Sequence, residues 1–330
     1  MMNLKVSRRE WLSCGAVLSA SLLVERRSRA QPVEARPLTY TYKTVGPLAI
    51  KADVYRQQGD QVRPAAVWIH GGALIMGHRA QIDRRVKQHM LDAGYVLISL
   101  DYRLAPETKL PEIIQDLEDA FAWIRRDGAR LFKIDPARIA VVGGSAGGYL
   151  TLTSGFRVQP RPAVLMSLWG YGDLIGDWYS KPSPHPRHNQ RKVTREEAYE
   201  QVNGPPIADS RDRKGDGGLF YQYCRQTGTW PKAVSNWDPV NDAEQFHPYM
   251  PFKNVTADYP PTVLVHGIDD TDVPYEKSVE MAEHLKRHNV EHQLISVRNG
   301  EHGLSGAEPE AIEEAYADTF RFVDQHLQAG

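Results

Sequence analysis

A serine lies at the centre of the glycine-rich stretch VVGGSAGGYL (residues 141–150), directly behind a run of β-branched residues. Ser145 has a glycine two positions before it and another two positions after it, and a helical pattern follows. A strand, a tight turn and a helix in this order hold a serine hydroxyl exposed at the start of the helix, where backbone dipoles favour developing negative charge. A phosphate-binding loop would need a Lys followed by Ser or Thr, and this stretch contains no such pair. The pattern therefore predicts a nucleophilic serine.

The chain also offers the two partners that a nucleophilic serine needs, a base and a carboxylate that orients the base. His302 stands in NGEHGL, behind a predicted strand, and HGIDDTDVP behind the preceding predicted strand contains three aspartates. We expect Asp270 to orient His302, with Asp272 as the alternative, because Asp270 follows soonest after the strand turns outward. Otherwise Asp269 and Asp272 are expected to be solvated loop residues or helix caps. Serine, aspartate and histidine in this chain order occur in known catalytic triads.

A second glycine-rich turn, HGGAL (residues 70–74), follows the predicted strand AAVWIH. The N–H groups of Gly71 and Gly72 can point inward because no side chain obstructs them, and the N–H of Ala146 lies beside the serine. We expect these three groups to form an oxyanion hole for a tetrahedral intermediate. One such donor is worth roughly 3–4 kcal/mol of the reaction barrier.

Short apolar runs indicate how these residues are positioned. The segments TYTYKTV and LAIKADVY alternate polar and apolar residues around Gly46 and Pro47, which predicts an antiparallel hairpin. Six later runs are apolar on both faces, as parallel strands covered by helices are: AAVWIH (65–70), YVLISLDY (95–102), IAVVGG (139–144), AVLMSLWG (163–170), PTVLVHG (261–267) and HQLISV (292–297).

Helical spacing of apolar residues separates several of these runs, at residues 113–124, 275–288 and 309–327 and in the stretch behind Ser145. A hairpin followed by alternating strands and helices predicts a doubly wound α/β fold. Its sheet is expected to be mostly parallel, with an antiparallel N-terminal edge.

Residues 172–258 interrupt this alternation and predict an inserted cap. The segment is too long for an ordinary connection and too rich in aromatic residues for a linker. Its aromatic residues either line a substrate pocket or form the cap's own core. The candidate substrate-binding residues are Trp169, Tyr171, Phe220 and Tyr221.

Other polar residues have plainer interpretations. His70 and His266 are expected to make structural hydrogen bonds, and Arg103 with Glu107 to form a buried ion pair. The cap histidines, His185, His188 and His247, lack the spacing of metal ligands, so neither a metal nor another cofactor is expected.

The first thirty residues predict an export signal. Arg8 and Arg9 precede the apolar residues 11–24, and the small residues suited to cleavage end at Ala30. Ser-Arg-Arg-x-aromatic-Leu, with Trp11 as the aromatic residue, resembles a twin-arginine signal. We expect a mature protein that starts near Gln31 and is periplasmic or secreted.

Composition narrows the possible partners. The net charge is −1, which gives no support for nucleic acid as a partner. No run reaches the roughly 18 apolar residues of a membrane span, so stable membrane insertion is not expected. Outside the predicted signal, Cys224 is the single cysteine, which excludes an intramolecular disulfide and is typical of a buried small apolar residue.

Four motifs together resemble the α/β-hydrolase superfamily: HGG, DYRLAPE (101–107), GGSAGG and HGxxDxxVP. They are most similar to its hormone-sensitive-lipase-like and feruloyl/acetyl esterase (BD-FAE-like) branches, over residues 39–171 and 259–330. The resemblance implies Ser145 as nucleophile, Asp270 and His302 as its partners, and the oxyanion hole named above. Ala73 stands in place of a third glycine, which favours ordinary acyl esters over esters of tertiary alcohols.

These observations predict an exported serine carboxylic-ester hydrolase that forms an acyl-enzyme intermediate. Its substrates would be small-molecule or carbohydrate-linked esters, with acetyl or feruloyl esters of carbohydrates as candidates. One alternative is a peptide or amide hydrolase of the prolyl-oligopeptidase-like or arylformamidase type, which shares the serine and aspartate motifs. Another is a non-catalytic binding protein with this fold, although such proteins typically lose a triad residue and this chain has all three.

Overall fold

The computed structural model describes residues 36–328, in which eight strands form one sheet with helices on both faces. The strands are β1 (Leu38–Val45), β2 (Leu48–Tyr55), β3 (Arg63–Ile69), β4 (Val96–Leu100), β5 (Ile134–Gly144), β6 (Val164–Leu168), β7 (Thr262–Gly267) and β8 (His292–Val297). The helices outside the cap are α1 (Arg84–Asp92), α2 (Leu110–Phe132), α3 (Ala146–Arg157), α10 (Glu276–Arg287) and α11 (Pro309–Gln328). All eight predicted strands are present.

The strand order is β1-β2-β4-β3-β5-β6-β7-β8. β2 is antiparallel to both β1 and β4, and the remaining neighbours are parallel. The predicted doubly wound fold with an antiparallel N-terminal hairpin is confirmed. From β3 the chain moves to β4 on one side and then returns to β5 on the other. The loops after β3 and β5 therefore meet at a switch point, where α/β sheets bind ligands.

The sheet separates two apolar layers. Along β3, Val67 and Ile69 face the layer that contains α2, α3 and α10, whereas Ala66 and Trp68 face α1 and α11. All four side chains are almost fully buried. Each large apolar side chain buried in this way contributes about 1.5–3 kcal/mol.

Helix α1 was not predicted from the sequence. Its buried apolar residues are only Val86 and Met90, one turn apart, which is too short a pattern to indicate a helix. Asp83 begins the helix by accepting hydrogen bonds from the N–H groups of Arg85 (2.9 Å) and Val86 (3.0 Å).

The segment between β6 and β7 contains six short helices, which we call the cap. They are α4 (Asp177–Ser180), α5 (Pro186–Asn189), α6 (Arg195–Glu200), α7 (Gly218–Thr227), α8 (Trp230–Ser235) and α9 (Ala243–Phe246). The cap contacts the loops behind β3 and β7. The indole N–H of Trp230 donates to the carbonyl of Ala73 at 2.9 Å, and the hydroxyl of Tyr221 donates to Asp272 at 2.5 Å. The cap therefore covers the carboxyl edge of the sheet.

The predicted export signal, residues 1–30, lies outside the described residues. Within residues 36–328, no helix is both long enough and apolar enough to cross a membrane.

Candidate active site

Ser145 occupies a sharp turn between β5 and α3, with φ 57° and ψ −121°. This backbone conformation is strained for a residue with a side chain. The small neighbours are needed because the backbone segments lie very close together. A Cβ atom at Gly143 would lie 2.3 Å from the carbonyl oxygen of Gly147, and one at Gly147 would lie 2.0 Å from that of Ile69. The glycines around Ser145 thus serve a tight turn that presents the serine.

The loop behind β3 lies against this turn. A Cβ atom at Gly71 would lie 2.9 Å from the carbonyl oxygen of Gly144 and 3.3 Å from Cβ of Ser145. Gly72 has φ 103°, a conformation that favours glycine. In residues 36–328, the N–H groups of Gly71, Gly72 and Ala146 donate to no other backbone group. Gly71 and Gly72 therefore lie in a loop that meets the turn at Ser145, and Ala146 begins α3 directly after the serine.

His302 and Asp270 are in direct contact. Nδ1 of His302 lies 2.7 Å from Oδ2 of Asp270, whose side chain is fully buried. The other carboxylate oxygen, Oδ1, accepts hydrogen bonds from the N–H groups of Asp272 (2.8 Å) and Val273 (2.9 Å). The loop behind β7 thus holds the carboxylate in one orientation, and the carboxylate holds the imidazole.

Electrostatics favour the charged forms of this pair. Burial alone would raise the pKa of Asp270, but hydrogen bonds from His266 and His302 hold it well below its usual value. Burial alone would lower the pKa of His302, but the hydrogen bond to Asp270 and the charges of Asp272 and Asp270 raise it. Asp270 therefore stays ionised and stabilises an imidazolium at His302.

Asp272 has a different environment from the one predicted. We expected a solvated loop residue or a helix cap, but Asp272 is 8% exposed, packs under the cap and does not cap α10. One oxygen accepts the Tyr221 hydroxyl, and the other lies 3.8 Å from Nε2 of His302. Nε2 of His188 also lies 3.2 Å from this carboxylate. The sequence prediction failed because the cap that buries Asp272 is distant in the chain. Asp269, by contrast, is exposed as predicted.

Trp169 connects the serine turn to the histidine. A Cβ atom at Gly144 would lie 3.2 Å from Nε1 of Trp169, and the ring centroids of Trp169 and His302 are 6.3 Å apart, edge to face. Within residues 36–328, Oγ of Ser145 makes no hydrogen bond. Catalytic hydrogen bonds are often long in unliganded enzymes and tighten only around substrate. The side chain of His302 is 16% exposed, so part of the imidazole can be reached from solvent.

The four aromatic candidates for substrate binding separate into two groups. Tyr171 and Phe220 are fully buried, and Tyr171 packs on Tyr149 with a centroid distance of 5.3 Å. Both side chains belong to the apolar core under the cap. Trp169 is partly exposed beside His302, and Tyr221 reaches the site through its bond to Asp272. Trp169 and Tyr221 therefore remain the candidates for substrate contact.

The two histidines expected to be structural have structural contacts. The ring of His70 stacks on Tyr102 with a centroid distance of 4.3 Å, and burial lowers the pKa of His70 to about 4. His266 lies 2.7 Å from the hydroxyl of Ser278 through Nδ1 and 3.2 Å from Asp270 through Nε2. His266 therefore also supports the carboxylate that contacts His302.

The prediction that Arg103 and Glu107 form an ion pair was wrong. Arg103 pairs with Asp116 at 2.7 Å, and Glu107 accepts from Arg213 of the cap at 3.0 Å. Both glutamate and cap arginine are almost fully buried, so this pair joins the cap to the loop behind β4. Sequence reasoning chose a near neighbour because the cap's position was unknown. Cys224 is buried as expected, and burial raises the pKa of its thiol to about 12.

Two family models match separate parts of the chain. Residues 52–162 match the BD-FAE family, and residues 219–330 match the prolyl oligopeptidase family. The first match contains the serine turn and the loop behind β3, and the second contains Asp270 and His302. The chain thus has sequence similarity to hydrolase families in both halves of the candidate site.

Solved structures share the fold. A Staphylococcus aureus protein of unknown function has a TM-score of 0.70 and 23% identity, covering 88% of this chain and 99% of that one. The acetyl ester-xyloside bifunctional hydrolase from Caldicellulosiruptor lactoaceticus has a TM-score of 0.65 and 20% identity. The match covers 90% of this chain and 99% of that one. Among curated proteins, the non-reducing polyketide synthase pkbA of Emericella nidulans is 28% identical over 78% of this chain, which spans only 12% of that protein's length.

The fold and the two family matches define a hydrolase of the α/β-hydrolase type. The chain has the α/β-hydrolase fold, and both family matches support the resemblance that its motifs predicted.

Proposed function

We propose that this protein is a serine carboxylic-ester hydrolase in which Ser145 is the nucleophile, His302 the base and Asp270 the orienting carboxylate. The observation that carries the proposal is the 2.7 Å contact between His302 and Asp270, with Trp169 lying between this imidazole and the strained turn that holds Ser145. Strain, a buried ionised carboxylate and an orienting hydrogen bond are what a serine nucleophile requires.

In the proposed reaction, Oγ of Ser145 attacks the ester carbonyl carbon while Nε2 of His302 takes the hydroxyl proton. Asp270 accepts a hydrogen bond from the Nδ1–H group of His302 and stabilises the imidazolium. The N–H groups of Gly71, Gly72 and Ala146 stabilise the oxyanion of the tetrahedral intermediate. His302 then protonates the leaving alcohol and activates the water that hydrolyses the acyl-enzyme.

The test is hydrolysis of 4-nitrophenyl acetate, butyrate and octanoate beside methyl ferulate and acetylated xylan. We expect Ser145→Ala to lower kcat by roughly 10⁶-fold and Asp270→Asn by roughly 10⁴-fold. Ser154→Ala is the matched control, because Ser154 lies in the helix behind Ser145 and its hydroxyl donates to the carbonyl of Thr151. Turnover that survives Ser145→Ala would refute the proposal.

A covalent label separates catalysis from binding. A 4-nitrophenyl phosphonate should form one adduct, which peptide mass spectrometry would locate on Ser145. An unlabelled protein that binds esters without turnover would instead support the non-catalytic alternative.

Amide hydrolysis is the second candidate, favoured by the match of residues 219–330 to the prolyl oligopeptidase family. Alanine 4-nitroanilide and N-formylkynurenine, assayed beside the esters, distinguish the two. A kcat/KM for either amide above that for every ester would assign the site to amides.

Export by the twin-arginine route is proposed from the motif in residues 1–30 alone. Fractionation of a bacterial host that expresses the full chain tests it. Replacing both Arg8 and Arg9 by Lys should retain the protein in the cytoplasm, whereas unchanged export would refute this route.

A further inference from the structure

A cavity of about 310 Å³ lies beside the loop that follows β7. The cap lines one side of it with Trp178, Lys181, His185 and Arg225, and the loop lines the other with Thr271 and Pro274. Thr271 directly follows Asp270, so one wall of the cavity belongs to the loop that carries the proposed orienting carboxylate.

Arg225 is the unusual member of this lining. Its side chain is 3% exposed, yet Nε and Nη1 have no hydrogen-bond partner. Its guanidinium carbon lies 5.0 Å from the ring centroid of Tyr179 and 5.6 Å from that of Trp178. Arginine cannot lose its charge, and a buried charge without hydrogen bonds is costly. The guanidinium therefore rests on two aromatic rings and keeps unused N–H donors, which a ligand with acceptor oxygens in the cavity would satisfy.

The nearby carboxylates do not satisfy Arg225. In residues 36–328, no carboxylate oxygen forms an ion pair with it within 4.0 Å. Asp272 instead contacts Tyr221 and faces His302, and Asp177 pairs with Lys181 at 2.8 Å. Asp272 acts on Arg225 through its charge but makes no hydrogen bond to it, so the guanidinium keeps N–H donors that suit a ligand with acceptor oxygens.

The rest of the lining suits a ring or short chain. Trp178 and three prolines, Pro182, Pro184 and Pro274, supply apolar surface around the guanidinium. The planar fork of an arginine matches a carboxylate in geometry. We consider a molecule whose ester lies at Ser145 and whose other end is a carboxylate. Its apolar atoms would contact Trp178 and the prolines, and its carboxylate would contact Arg225.

We propose that the cavity binds a carboxylate of the ester substrate and that Arg225 determines this specificity. The inference rests on the proposed function. The carboxylate belongs either to the acyl group, as in the half-ester of a dicarboxylic acid, or to the alcohol, as in an acylated hydroxy acid.

Two substrate pairs distinguish these sources. For the acyl side, 4-nitrophenyl hydrogen glutarate is compared with its methyl ester by release of nitrophenol. For the alcohol side, 4-acetoxybenzoate is compared with methyl 4-acetoxybenzoate. We expect the free carboxylate to have the higher kcat/KM in one pair, by about 10- to 100-fold, the range of a hydrogen-bonded charge.

Arg225→Met should remove that preference, so that kcat/KM falls about 10- to 100-fold more for the free carboxylate than for its methyl ester. Arg225→Lys, which keeps a charge but not the planar fork, should retain part of it. Arg195→Met is the matched control, because Arg195 also lies over an aromatic ring, Tyr199, but on the exposed face of the cap. The inference would be overturned if Arg225→Met lowered kcat/KM equally for charged and neutral esters, or if the wild type showed no preference for the free carboxylate.

A binding measurement keeps this test separate from the proposed function. Calorimetric titration of the Ser145→Ala protein with 4-acetoxybenzoate and hydrogen glutarate esters needs no turnover. We expect at least one carboxylate to bind about 10-fold or more tightly than its methyl ester, and Arg225→Met to abolish the difference. Binding without hydrolysis in the wild type would refute the esterase and keep the subsite. Hydrolysis of neutral esters, without any carboxylate-dependent binding, would refute the subsite alone.

Discussion

The carboxylate of Asp272 lies 3.8 Å from Nε2 of His302, on the opposite side of the imidazole from Asp270. His302 therefore has a carboxylate near each ring nitrogen, and both raise its pKa. Nε2 is the atom that must be unprotonated to accept the proton of Ser145. Asp272 thus favours the form of His302 that cannot act as a base.

Asp272→Asn should move the acid limb of the kcat/KM profile to lower pH. The pKa of His302 is raised above 6.5 in the folded protein, and activity requires the neutral ring. Removing one negative charge lowers that pKa, while Asp270 still raises it and Arg187 still lowers it. A pH profile with 4-nitrophenyl acetate measures the shift.

Asp269→Asn is the control for this experiment, because Asp269 lies in the same loop and is exposed. Its acid limb should coincide with that of the wild type. An acid limb that stays in place in Asp272→Asn, or moves to higher pH, would contradict the electrostatic role of Asp272.

Trp230→Phe should reduce both stability and turnover. The substitution keeps an aromatic ring but leaves the buried carbonyl of Ala73 without its 2.9 Å hydrogen bond, at a cost of about 1–3 kcal/mol. Since Ala73 follows Gly72, we expect kcat to fall more than KM rises. Urea unfolding and steady-state kinetics measure the two effects.

Trp237→Phe is the matched change elsewhere in the cap, where Trp237 packs on Phe246 at 5.3 Å. It should leave kcat nearly unchanged. If the two variants lose kcat equally, the bond to Ala73 does not position the loop behind β3.

Gly147→Ala should destabilise the protein by about 1–3 kcal/mol or more, because its Cβ would lie 2.0 Å from the carbonyl oxygen of Ile69. Gly204→Ala is the control, since no atom lies within 4 Å of a Cβ there. The free energy of unfolding in urea is the measurement. Similar values for both variants would show that the turn around Ser145 can widen to accept a side chain.

Much of the fold could be predicted because its signals are local. Runs of β-branched residues indicated the parallel strands, and Gly46 with Pro47 indicated the hairpin. Helix α1 escaped prediction because Val86 and Met90 are its only buried apolar residues. The positions of the candidate residues were predictable for the same reason: Ser145, Asp270 and His302 each stand just behind a strand, and parallel strands end at one edge of a sheet.

The contacts that cap residues make with the site could not be predicted. Tyr221 is 51 positions from Asp272, and Arg213 is 106 positions from Glu107. No periodicity or turn pattern connects residues so far apart. The sequence therefore predicted solvent contact or a helix cap for Asp272, and an ion pair with the nearby Arg103 for Glu107. Both predictions were wrong.

By itself, the sequence determined the strands, the tight turns and the residues that stand at their ends, because backbone conformation depends on neighbouring residues. Only the tertiary structure decided that Asp272 faces His302 and that, among residues 36–328, Nε and Nη1 of the buried Arg225 have no hydrogen-bond partner. Those properties depend on how the cap packs against the loop behind β7. Burial there removes water, so each charged side chain can be stabilised only by the protein groups around it.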